Sequence, residues 1–93
     1  MYEERKQKYK YVEEANMNFK EFEIALFEGR EIEFSLGDID YFISRTEFFH
    51  TVYDVNKDKI IYEGSAENIL DFVFETGVTL KSDFEKFIIT CIL

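Results

Sequence analysis

The chain has 93 residues, 46% of them apolar, with one cysteine, one histidine, no proline and a net charge of -9. That composition supports a single domain with one core and argues against disorder of the whole chain, while the lone Cys91 excludes an internal disulfide. No apolar run approaches the ~20 residues that span a bilayer, and phosphate would repel so acidic a chain, so direct binding to DNA, RNA or anionic lipid is not expected.

Residues 1–16 are rich in Lys, Glu, Gln and Tyr and read as a charged extension ahead of a domain over 17–93. The stretch MYEERKQKYKY is too charged for the apolar heart of a signal peptide, so a cytoplasmic location is expected. A helix then starts at Asn18, an N-cap residue with Glu21 three positions later, and Gly29 is placed to end it. Phe19, Phe22, Ala25 and Leu26 share one face, with Ile24 and Phe27 widening the stripe.

The period changes to two in Glu31-Ile32-Glu33-Phe34-Ser35-Leu36, which predicts a strand with Ile32, Phe34 and Leu36 on one face and Glu31, Glu33 and Ser35 on the other. Gly37-Asp38 signals a two-residue hairpin. Pairing across it sets Leu36 opposite Ile39, Phe34 opposite Tyr41, Ile32 opposite Ile43, Glu33 opposite Phe42 and Ser35 opposite Asp40. A third strand is predicted over 48–55 and a short fourth over 60–63, joined by the turn Asn56-Lys57-Asp58-Lys59. Ser65 caps a second helix with Ile69, Leu70, Val73 and Phe74 as its apolar face and Gly77 as its end. A helical turn is expected in 79–85 and a last strand in 87–93. The order α-β-β-β-β-α-β predicts an α+β fold, a four- to five-stranded antiparallel meander with helices packed on one face.

Little in this chain suggests catalysis. His50 lies in a predicted strand without sequence neighbours that would make it an acid, a base or a ligand, and reads as a surface or half-buried structural residue. Cys91 near an apolar end reads as a small buried hydrophobe. Asp38 and Asp40 lack the ligand spacing of a calcium loop. Asp54, Asn56 and Asp58 match the first half of one, but Ile60 and Ile61 follow where glycine would make the bend, so a polar turn is expected and no metal. No glycine-rich phosphate loop occurs, and neither an enzyme nor a cofactor is expected.

The informative asymmetry is charge. Residues 21–75 carry fourteen acidic side chains against four basic ones, while the first twenty residues are slightly basic and the last eighteen neutral. Alternation puts Phe42, and one of Phe48 and Phe49, on the face opposite the core, where an aromatic amid carboxylates has the composition of an interface anchor with a charged rim. The candidate partner-binding residues are Glu31, Glu33, Asp38, Asp40 and Phe42. A solvated outer face carrying one tolerated phenylalanine is the plainer reading of the same residues.

Several stretches also carry a resemblance. Glu28-Gly29-Arg30-Glu31-Ile32-Glu33-Phe34, the Gly-Asp hairpin into Tyr41-Phe42-Ile43, Ile61-Tyr62-Glu63 and Gly77-Val78-Thr79-Leu80 together resemble a group of small proteins of low-GC Gram-positive bacteria, their phages and mobile elements. That resemblance implies a phage-type α-β-α sandwich and no catalytic residues; residues 1–16 lie outside it. In size and acidity the chain is also similar to anti-CRISPR and anti-restriction proteins.

The expected function is therefore an inhibitory protein whose carboxylates compete for the basic groove of a defence nuclease. An immunity protein or antitoxin capping a basic toxin is the alternative, and a homodimer formed through the apolar last strand is a third.

Overall fold

A computed structural model describes residues 17–93, and the extension expected over 1–16 lies outside them. The helix α1 (Phe19–Phe27) starts at a capping box: the Glu21 amide donates to Asn18 Oδ1 at 2.8 Å and the Asn18 amide donates to Glu21 Oε1 at 3.2 Å. It ends in a Schellman motif, in which Gly29 at φ +80 lets its own amide reach the Leu26 carbonyl and the Arg30 amide reach that of Ala25. The widened apolar face is only partly used. Phe22, Ala25 and Leu26 are buried, whereas Ile24 and Phe27 face solvent.

Strands β1 (Ile32–Leu36), β2 (Ile39–Arg45), β3 (His50–Asp54) and β4 (Lys59–Gly64) form an antiparallel meander, and β5 (Phe87–Ile92) joins at β1, giving the order β4-β3-β2-β1-β5. The chain is thus an α+β protein with a five-stranded sheet. The β1–β2 register is the one that the alternation and the Gly37-Asp38 turn predict, from Ile32 opposite Ile43 to Leu36 opposite Ile39. Both outer pairings carry an irregularity, between Glu33 and Phe34 on the β5 side and between Val52 and Tyr53 on the β4 side. At the first of these the Thr90 hydroxyl donates to the Glu33 backbone carbonyl at 3.1 Å.

Two elements differ from expectation. The third strand begins at His50 instead of residue 48, because Thr46 closes a tight connection. Its amide donates to the Phe49 carbonyl at 2.7 Å, and its hydroxyl oxygen accepts from the Phe49 amide at 3.0 Å. Phe48 and Phe49 therefore both sit in a loop and are exposed. The second helix, α2 (Ala66–Leu70), is capped by Ser65 as expected but stops well short of Gly77. Beyond it the chain extends, so that Phe72 and Phe74 turn inward while Val73 points out, and Gly77 serves a tight turn in which the Phe74 amide donates to the Val78 carbonyl. A short 3₁₀ turn (Phe84–Lys86) leads into β5.

The core lies between one face of the sheet and this helical layer. Ile32, Phe34, Tyr41, Ile43, Val52 and Ile89 meet Phe22, Leu26, Ile69, Phe74 and Leu80. Phe34 and Phe74 are at its centre: their rings meet edge to face at 5.9 Å, and each also packs against Tyr41 and Phe87. Burial pushes the Tyr41 phenol above its ordinary value of 10.0, and the Asp54 and Glu75 carboxylates push in the same direction. A raised folded-state pKa contributes stability that is complete below the unfolded value and is lost as pH rises through the folded one. Urea midpoints of the wild type are expected to fall as pH passes about 10, and Tyr41→Phe is expected to flatten that fall; equal slopes for the two proteins would contradict the assignment to Tyr41.

Candidate functional site

The hairpin was expected to project Glu31, Glu33, Asp38 and Asp40 together with Phe42, and the structure places them in three different settings. Glu31 and Asp38 stand beyond opposite ends of β1, roughly 20 Å apart along a strand that rises about 3.4 Å per residue. Glu31 is half-buried beside Arg30, whose Nε donates to the Leu93 carbonyl at 2.9 Å, and its own carbonyl accepts from the Leu93 amide. Asp38 is exposed in the turn. Asp40 is half-buried beside the β3–β4 turn, where its amide donates to Asn56 Oδ1 at 2.8 Å. That end of the sheet also holds Lys57 and Lys59, the first of which pairs with Glu75 at 3.4 Å.

Glu33 is the clearest departure. It lies on the outer side of the sheet as alternation predicts, opposite Phe42 on one side and Cys91 on the other, yet it is 1% exposed. Its carboxylate is enclosed and cannot reach across an interface. Phe42, also opposite Tyr53, is half-buried.

The residues considered for chemistry serve the fold. His50 is half-buried, with Nε2 3.2 Å from the Leu26 carbonyl, so the ring ties the end of α1 to β3. Cys91 is fully buried. The Asp54-Asn56-Asp58 stretch makes a polar turn: Asp54 Oδ1 accepts from the Lys57 amide at 2.9 Å, Asp58 adopts φ +57, and the Tyr53 hydroxyl donates to Asp58. Among the described residues no three His, Cys, Asp or Glu side chains are grouped so as to hold a metal ion.

A different concavity collects carboxylates beside apolar surface. It is a groove of about 320 Å³ between α1 and α2, lined by Phe19, Glu23 and Phe27 from one helix, by Glu67, Asn68 and Leu70 from the other, and by Asp71 and Lys81. Helical spacing explains both walls, since residues 19, 23 and 27 recur every four positions on α1, as do Glu67 and Asp71 along α2 and its C-cap. The Lys81 amide donates to the Leu70 carbonyl at 3.1 Å, which brings Lys81 to the end of α2 and into the lining of the groove. Phe27 is 49% exposed and Glu23 half-buried. Sequence reading put Phe27 in the core stripe and passed over Glu67 and Asp71.

This combination defines a small α+β protein with an acidic surface and a groove of mixed acidic and aromatic character among the described residues. Comparisons with protein-family models, with curated proteins and with solved structures give no match. Among the described residues no helix is long and apolar enough to cross a membrane.

Proposed function

We propose that this chain is a non-enzymatic acidic binding module, a phage or mobile-element inhibitor of the anti-CRISPR type that acts in the host cytoplasm by occupying the basic groove of a nucleic-acid-binding defence nuclease. The observation that carries the reading is where the charge sits. Residues 17–93 contain sixteen acidic and seven basic side chains, and every one of the carboxylates except those of Glu33 and Asp54 is exposed or half-buried. The excess of nine acidic over basic side chains in this range is one that pairing within it cannot remove; two of its ion pairs are Lys57 with Glu75 at 3.4 Å and Lys86 with Asp83 at 4.0 Å. A groove built to hold phosphates attracts such a surface over long range, and exposed rings supply contacts that slow departure. The structural use of His50 and the burial of Cys91 agree with a role in binding rather than turnover.

The test is competition. Fluorescent DNA or RNA held by purified defence nucleases is titrated with the full chain at low and at moderate salt. Displacement at low salt, weakened about tenfold or more on raising the salt, is the expected result. Nucleic acid that stays bound under both conditions, across a panel of such nucleases, would remove this reading.

A further inference from the structure

We infer that the groove between α1 and α2 receives an arginine side chain projecting from an apolar stretch of a basic protein partner. The inference rests on the reading of the chain as a module for basic partners and names the point of contact. Three carboxylates, of Glu23, Glu67 and Asp71, line the groove against one ammonium, that of Lys81, and none of the four takes part in the ion pairs of the described residues. An occupant must therefore bring positive charge. It must also bring apolar surface, because Phe19, Phe27 and Leu70 line the same space.

Arginine combines the two. Its methylene stem can lie along Leu70 and Phe19 while the guanidinium spreads among the carboxylates and over the half-exposed ring of Phe27. The planar fork can bond two carboxylates at once, which the smaller and more strongly hydrated lysine head does less well. A volume of about 320 Å³ accommodates one or two side chains and excludes a whole folded element. Phosphate-bearing ligands are repelled by the same carboxylates. The hairpin carboxylates have a different setting: Asp38 and Asp40 lie at the sheet end that also carries Lys57 and Lys59, and Asp40 and Glu31 are half-buried.

The probe is a helical peptide with two arginines four residues apart on a leucine face, titrated into the ¹⁵N-labelled full chain, with its citrulline counterpart as the neutral control. Amide shifts are expected to concentrate at Glu23, Phe27, Asn68 and Asp71 and to disappear with the citrulline peptide. The double variant Glu67→Gln, Asp71→Asn is expected to weaken binding about tenfold or more, since it removes charge-assisted hydrogen bonds. Phe27→Ala should weaken it severalfold through the ring contact; these three side chains are exposed, and the wild-type shift map does not depend on the variants folding. Shifts centred on 38–40 and 54–59, or binding unchanged by both variants, would overturn the groove while leaving an acidic module in place. Loss of binding to every basic protein as well as to the peptide would remove the underlying reading too.

Discussion

Phe74→Ala is expected to cost about 3–5 kcal/mol of stability, enough to remove much of the folded population of a domain this small, whereas Val73→Ala next to it should stay within about 0.5 kcal/mol. The contrast follows from where the chain leaves α2. Phe74 is 2% exposed and its ring meets those of Phe34, Tyr41, Phe72 and Phe87, while Val73 is 61% exposed. Truncation at residue 74 removes a phenyl group from the centre of that aromatic cluster and leaves a void that rings held by the sheet cannot collapse into. Urea midpoints for the two variants decide the matter. Comparable losses at both positions would mean that residues 73 and 74 share a buried helical face and that the extended path after Leu70 is wrong.

The second large effect is expected on the sheet. Glu33→Lys should destabilise the protein by about 3–5 kcal/mol, because it puts a longer side chain of opposite charge into an enclosed position shaped for a carboxylate. Asp38→Lys, in the exposed turn of the same hairpin, should change stability by no more than about 0.5 kcal/mol. Denaturation of the two variants side by side tests this, and a Glu33→Lys protein as stable as the wild type would contradict the enclosure of the site. The comparison also matters for function. A charge reversal that includes Glu33 would abolish partner binding by unfolding the module, so reversals intended to probe an interface belong at Asp38, Glu67 and Asp71.

These two positions show which parts of the fold were legible in the sequence. Strict alternation of apolar and polar residues with a Gly-Asp turn between them left one sensible register for β1 and β2, because a slip by one residue would have turned Ile32, Phe34 and Leu36 outward. Alternation reports the side of the pleat on which a residue lies. It does not report whether that side meets solvent, and so it placed Glu33 correctly and misjudged its surroundings. The end of α2 was lost for a related reason: Ile69, Leu70, Val73 and Phe74 satisfy a 3.6-residue period, but Phe72 and Phe74 satisfy a period of two, and the aromatic core takes the second pattern. The groove could not be read at all. Its walls are far apart in the chain, three residues on α1 against five between 67 and 81, and each set looks like an ordinary amphipathic surface.

The position of β5 has a consequence for how the protein is made. The meander of β1 to β4 can assemble by pairing near neighbours, but the other side of β1 receives strand 87–92, so that Ile32 waits for Ile92. Closing that contact across some sixty residues is entropically slow compared with closing a hairpin. During synthesis, an incomplete chain emerging from the ribosome therefore presents an unpaired apolar strand flank for as long as it takes to translate the second half of the domain. That interval is when misassembly competes with folding, and the pairing of β5 with β1 is the step that shuts it off.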